Sequence, residues 1–137
     1  LQQQKLPPER VHVLGFVSNM QTLMRSADLF LTKPGGLSTS EAAALGLPMV
    51  LIDAVAGCEE HNLDFFVSRG AAVTADGAEA LCALALSILR DDARLGAMSA
   101  SLRRATEITP AEMIYQTICK ALEETKNAPQ EDENAYA

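Results

Sequence analysis

Histidine is scarce, paired cysteines are missing and basic residues are outnumbered. Each shortage closes off a class of function. Only His12 and His61 are present, in a chain of 137 residues, too few for a histidine-based metal cluster. Cys58, Cys82 and Cys119 form no Cys-x-x-Cys pair and are odd in number. They read as reduced, small apolar residues of an intracellular protein rather than as a disulfide frame or a zinc site. Lys and Arg number 11 against 18 Asp and Glu, a formal charge of -7. Such a chain lacks the basic face that nucleic acid requires, and it lacks an electrostatic anchor for a membrane in this part of the molecule. No apolar run approaches the ~18 residues that span a bilayer. No signal peptide opens the sequence, and a start at Leu1 rather than Met leads us to expect an excised or incomplete piece. There is no internal repeat. No Asp-x-Asp pair closes a strand, since Asp91-Asp92 falls at a helix start.

What is present suits one domain with a real core: 137 residues, 48% of them hydrophobic. The stretch from Leu29 to Glu41 organises the rest. The apolar run Asp28 to Thr32 reads as a buried strand, bounded by Pro34-Gly35-Gly36. Leu37 to Leu45, rich in Ala and Leu, reads as a helix. A strand, a glycine turn and a helix start leave backbone N–H groups facing open space with a positive helix end behind them, which suits a phosphate. Adjacent glycines let a ligand approach without a Cβ in the way. A purely structural reading stands beside this one. Ser38 and Glu41 have capping-box spacing, and Pro-Gly-Gly serves equally as a plain turn.

Elsewhere the chain alternates. Leu1 to Arg10 is a polar lead-in with Pro7-Pro8, and Val11 to Val17 is β-branched and apolar, an expected strand on which His12 is a face residue. Asn19 to Ala27 is expected as a short helix, with Met20, Leu23 and Met24 on one face, and Pro48 to Ile52 as a strand. A loop from Asp53 leads to a helix from about Glu59 to Arg69, stopped by Gly70. Glu59, Asn62, Leu63 and Phe66 share one stripe of it, polar at the start, where ligand contact is one reading and a solvated, dipole-favoured acid is the other, preferred for Glu60. Ala71 to Thr74 is the last expected strand. Beyond it Asp76 and Glu79 suggest a capped helix buried through Leu81, Leu84, Ala85, Ile88 and Leu89, and a second helix carries Leu95, Met98 and Leu102. A third begins at Thr109-Pro110-Ala111-Glu112 and is expected to bury Ile114, Ile118 and Leu122. Four strand–helix units predict a parallel sheet covered by helices, with ligands at the carboxyl ends of the strands.

These motifs, in this order, resemble a known family. Gly15-Phe16-Val17, Thr32-Lys33-Pro34-Gly35-Gly36-Leu37-Ser38-Thr39-Ser40-Glu41, Gly46-Leu47-Pro48-Met49-Val50 and Glu59-Glu60-His61-Asn62 are similar to the donor-binding half of GT-B glycosyltransferases. The resemblance leans toward the group containing MurG and the monogalactosyl- and glucosyl-diacylglycerol synthases. It covers Val11 to Val73 by motif and the remainder by helical pattern alone.

The resemblance implies an α/β fold: a partial doubly wound, Rossmann-like parallel sheet of the GT-B C-terminal domain with a helical C-terminal part. Residues 1–126 would form the donor-binding domain, incomplete at its N-terminus, and 127–137 a disordered acidic tail. The implied activity is inverting transfer of a hexose from a UDP-sugar to a lipid such as diacylglycerol. Uracil would lie near Phe16 and the backbone of Val17, and Glu41 would accept from the ribose hydroxyls. The diphosphate would rest on the amides of Gly36, Leu37, Ser38 and Thr39 beside Gly35, with Lys33 in reach. Glu59, Glu60 and Asn62 would touch the hexose or the loop that holds it. No metal and no cofactor beyond the donor substrate are expected, the helix dipole and Lys33 taking the metal's place.

Catalytic residues are not expected in this chain, because the general base and the lipid groove belong to the missing N-terminal half. The full-length protein would be cytoplasmic, peripheral on the inner face of the membrane. A non-catalytic donor-binding subunit and a UDP-N-acetylglucosamine 2-epimerase are the alternatives. The latter is disfavoured because Lys33-Pro34-Gly35-Gly36 and a single Glu41 stand where it carries Asp-Ser-Gly-Gly and paired Glu. In the family's strand order, Val11–Val17 would be strand three and Asp28–Thr32 strand four, with the strands that separate them absent. Either the first should then pair directly with the second, or a second copy of the chain, as a homo-dimer, should cover the open edge.

Overall fold

Phe30–Thr32, Met49–Leu51 and Ala72–Val73 form strands β1, β2 and β3, which lie in that order in one parallel sheet. This is a computed structural model, and it describes residues 10–106 and 110–127. The helices are α1 (Met20–Arg25), α2 (Gly36–Leu45), α3 (Cys58–Ser68), α4 (Ala78–Leu89), α5 (Asp92–Ala105) and α6 (Pro110–Asn127). Parallel neighbours cannot be joined by a hairpin, so α2 carries the chain from β1 back to β2, and α3 from β2 to β3. Phe30 stands opposite Met49 and Thr32 opposite Leu51, while Met49 also faces Ala72. The amide of Ile52 donates to the Thr32 carbonyl at 3.0 Å and prolongs the first pairing.

Alternation along β2 divides the core. Met49 and Leu51 point to one face, where Met24 of α1, Ala42 and Ala43 of α2, Phe66 of α3 and Leu102 of α5 bury them. Val50 points to the other, against Ala85 and Ile88 of α4 and Met98 of α5. All three β2 side chains are fully buried. A strand covered on both faces reads as a continuous apolar run, and Pro48 to Ile52 is one. Helix α5 serves both layers, with Met98 on one side and Leu102 on the other. Its start is capped by Asp91, whose Oδ1 accepts from the Arg94 amide at 2.9 Å.

Several expectations fail here, each for a physical reason. Val11 to Val17 forms no strand, so the sheet has three strands where four were expected. β-Branched character is a propensity; a strand exists only where a neighbour accepts its hydrogen bonds. These residues do not pair with β1, and Val13 and Phe16 are 92% and 100% exposed. Helix α4 is capped at Gly77, φ +82°, with no side-chain cap bond, so Asp76 does not cap it. Leu89 lies outside its buried stripe and is exposed. The expected burial of Ile114, Ile118 and Leu122 on α6 is also absent, and all three are more than half exposed. Local bonds such as Gln116 Nε2 to Glu112 Oε1 at 2.9 Å support α6, whose apolar stripe joins neither core cluster. The lead-in before Arg10, the Thr109 cap and the tail after Asn127 lie outside the described residues.

Glycine is required at the end of α2. Gly46 takes φ +66°, its amide donates to Ala43, and the next amide, of Leu47, donates to Ala42. A Cβ there would stand 3.2 Å from Ser99 Oγ and 3.3 Å from Arg103 Nε. Gly46→Ala is therefore expected to lose about 1–3 kcal/mol, from left-handed backbone strain and crowding. Urea unfolding of the two proteins measures it, and an unchanged midpoint would contradict the cap geometry.

Candidate functional site

At the carboxyl end of β1 the chain passes Lys33, Pro34 and Gly35 before α2 begins at Gly36. Pro34 is fully buried and Lys33 is exposed. Both sides of the turn are tied down. The Gly35 amide donates to the Lys33 carbonyl at 2.8 Å. The Gly35 carbonyl accepts from the Thr39 hydroxyl at 2.8 Å and from the Thr39 amide at 3.1 Å. One residue earlier, the Pro34 carbonyl accepts from Asn62 Nδ2 at 2.8 Å, a bond that reaches across 28 residues from α3.

This arrangement corrects the expected cap. Gly35, not Ser38, is the N-cap of α2; it is extended at φ −70°, ψ 141°, and no side chain caps it. Ser38 is already the third residue of the helix, so the Ser38–Glu41 capping box is not formed. The buried Thr39 hydroxyl on the Gly35 carbonyl accounts for the earlier start. Helix geometry then leaves the amides of Gly36, Leu37 and Ser38 without an acceptor one turn back, while the Thr39 amide is already engaged. A Cβ built on Gly35 or Gly36 would meet no protein atom within 4 Å. The ordinary φ of Gly35 does not call for glycine. What the two glycines leave is open room beside their own Cβ positions, at the positive end of a ten-residue helix whose first three amides have no acceptor among the described residues.

Glu41 lies on the next turn of α2, exposed, with no hydrogen bond or ion pair among the described residues. Lys33 likewise has no ion pair among them. Across the rim, the loop after β2 is folded by its own carboxylates. Glu59 Oε2 accepts from the Val55 amide at 2.8 Å, and Glu60 Oε2 from the Gly57 amide at 3.2 Å. His61 Nδ1 sits 2.9 Å from the Gly57 carbonyl and donates to it in the matching tautomer. Asp53, at the start of this loop, has φ +46°. Phe16 and Val17 belong to the irregular segment before α1, the first wholly exposed and the second half-buried. No backbone hydrogen bond joins them to the turn among the described residues.

A cavity of about 520 Å³ opens beside the ends of β2 and β3, lined by Asp53, Leu63, Thr74, Asp76 and their neighbours. None of the residues expected to bind the donor lines it, and its two carboxylates oppose an anion. Another, of about 400 Å³, lies at the amino end of the sheet, against Arg25, Asp28 and Gly96, away from the turn. The turn itself is an open shelf. Two residues that build it were not recognised as builders from the sequence: Thr39 through its hydroxyl, and Asn62 through the Pro34 carbonyl. A Thr four residues after an extended Gly is a local signal for the first. Nothing local signals the second.

A parallel α/β sheet with a glycine turn and free helix amides at a strand's carboxyl end is the architecture of a nucleotide- or phosphate-handling domain. The chain belongs to the family described as glycosyl transferases group 1, which matches residues 1–107. Among curated relatives it is similar to the processive diacylglycerol beta-glucosyltransferase of Bacillus licheniformis, 33% identical over 125 residues, covering 91% of this chain and 33% of that protein. The proteins of the same description from Bacillus subtilis and Bacillus cereus (strain AH187) are 34% and 36% identical over 115 residues, covering 84% of this chain and 30% of each relative. The chain thus spans about a third of the length of these relatives.

The Thr39 bond can be tested alone. Thr39 is 1% exposed, so Thr39→Val removes the hydroxyl without opening the site to water. The expected cost is about 0.5–1.5 kcal/mol, the net worth of one hydrogen bond. A denaturation midpoint equal to that of the parent would show that the hydroxyl does not hold the turn.

Proposed function

We propose that this chain is the donor-binding part of an inverting glycosyltransferase that moves a hexose from a UDP-sugar to a lipid acceptor such as diacylglycerol. The observation that carries the reading is the shelf: at a helix N-terminus the amides of Gly36, Leu37 and Ser38 have no acceptor among the described residues, and the Cβ positions of Gly35 and Gly36 face open space. The relatives' description as diacylglycerol glucosyltransferases supports the reaction class and the acceptor.

In this reading the diphosphate of the donor lies on those amides, with exposed Lys33 beside it. Glu41 has no hydrogen bond or ion pair to give up among the described residues and accepts from the ribose hydroxyls as charge-assisted bonds. The exposed ring of Phe16 and the Val17 backbone receive the uracil. The loop that Glu59 and Glu60 fold presents its backbone to the hexose.

The reaction breaks the bond between the anomeric carbon and the UDP oxygen, and it forms one from the acceptor hydroxyl oxygen on the opposite face. Negative charge gathers on the departing UDP, where preorganised N–H donors and the helix dipole lower its energy. The acceptor proton needs a base, which we place outside this chain, together with the groove for the lipid. No helix of the described residues is long and apolar enough to cross a membrane. In this reading we place the whole protein at the membrane surface, where it meets its lipid.

Binding should be selective for UDP over ADP and GDP, and weak, since this chain holds only part of the cleft. Calorimetry giving equal affinities for the three nucleotides would exclude a uracil pocket. Glu41→Ala should weaken UDP binding by about 1.5–3 kcal/mol, the range for a hydrogen bond to a charged group. Its melting temperature without UDP should stay at the parent value, because Glu41 caps nothing. Loss of stability with unchanged UDP affinity would reverse that assignment.

Isolated, the chain should transfer no sugar to diacylglycerol, for want of a base on the acceptor hydroxyl. Radiolabelled transfer above a buffer control would contradict that division of roles.

A further inference from the structure

The bond from Asn62 to the Pro34 carbonyl joins the two halves of the rim, and it leaves the side chain differently engaged from a hexose ligand. Its amide nitrogen is already 2.8 Å from a backbone oxygen, half-buried beneath the turn. That oxygen belongs to the Pro34–Gly35 peptide, whose N–H is held by the Lys33 carbonyl. The next carbonyl, of Gly35, is held by Thr39. Two consecutive peptide planes are thus fixed by two side chains, and the N–H of Gly36 is part of the second plane.

The Pro34–Gly35 peptide is thus held at both ends, its N–H by the Lys33 carbonyl and its C=O by the Asn62 side chain. Asn62 stands on α3, one turn beyond Glu59, and Glu59 in turn folds the loop after β2 onto the helix start. Asn62 shares with Leu63 and Phe66 the stripe that faces the core, and Phe66 is buried there. The donor is therefore carried by a packed helix and not by a mobile loop.

We propose that Asn62 is a positioning residue. Its side-chain amide holds the Pro34–Gly35 peptide so that the amides of Gly36, Leu37 and Ser38 stand ready for a phosphate, and it couples that shelf to the loop at the start of α3. The coupling to a ligand rests on the donor-binding reading given above. The hold on the turn does not.

Two variants test it: Asn62→Asp, which keeps the shape and removes the donor, and Asn62→Ala. Ile88→Val, in the core layer on the opposite face of the sheet, is the control for a general loss of stability. The first readout is amide hydrogen exchange, residue by residue, on the chain without ligand. Both Asn62 variants should speed exchange at Gly35 and Thr39 by about tenfold, as expected for one lost hydrogen bond, and leave the β2 amides at the parent rate. The second readout is UDP affinity, expected to fall by about tenfold in both variants and to be unchanged in the control.

Exchange at Gly35 and Thr39 equal to that of the parent, or raised no more than at β2, overturns the hold. Faster local exchange with full UDP affinity overturns the coupling to the ligand. Faster local exchange in a chain whose parent binds no UDP supports the hold and removes the donor-binding reading.

Discussion

The domain depends on one strand being buried on both faces. Met49, Val50 and Leu51 have no exposed surface, and each face of β2 is covered by a different set of helices. A central parallel strand must have a neighbour on each edge, and each crossover must run through a helix long enough to return. Those requirements place α2 and α3 on the Met49–Leu51 face and set their N-termini at the carboxyl rim. The position of the shelf follows from core packing, since α2 is held by Ala42 and Ala43, small residues that let it lie close against the strand.

From that packing to the first amides of α2 runs a short chain of directional bonds. Hydrophobic burial settles where α2 lies but leaves its first residue undetermined by a turn in either direction. The Thr39 hydroxyl and the Asn62 amide settle that remainder by naming which carbonyls are satisfied from within. Groups that are satisfied in this way do not turn toward a ligand, and the ones left over do. Two side chains that face inward therefore fix the carbonyls of the peptide planes from which the helix amides follow. Glu41 and Lys33, the charged residues of the same motif, take no part in it.

How much of this could be read from the chain follows from the range of each interaction. The order strand–turn–helix from Asp28 to Val73 was legible because each piece is a local pattern: an apolar run, a glycine, an Ala-rich segment. Gly70 after α3 was legible for the same reason. Val11 to Val17 has an equally good local pattern and forms no strand, because pairing is not a local property. Ile114, Ile118 and Leu122 make the same point for helices. An amphipathic stripe predicts a helix correctly but does not supply its partner surface. At the turn, Ser38 and Glu41 had the spacing of a cap, and a buried hydroxyl one residue later overrode it. The Asn62 bond spans 28 residues and had no signal in either segment.

The negative charge of the chain and the proposed site for a diphosphate are compatible because the two act over different distances. A formal charge of -7 spread over the surface is screened within about 8–10 Å at physiological salt. It opposes a long polyanion that must lie along many such patches, and it acts weakly on one phosphate pair at a single helix end. Across the rim from the shelf, two acids are also partly engaged. Glu59 and Glu60 accept from the amides of Val55 and Gly57, and these bonds turn part of their charge inward to their own loop. Asp53 and Asp76, beside the cavity beyond β2, are exposed carboxylates. The rim is therefore graded, favourable to an anion at the end of β1 and unfavourable past β2. A ligand with one charged and one neutral half would meet opposite preferences at those two places. That gradient is set by which backbone groups the carboxylates satisfy, and the total count of charges does not reveal it.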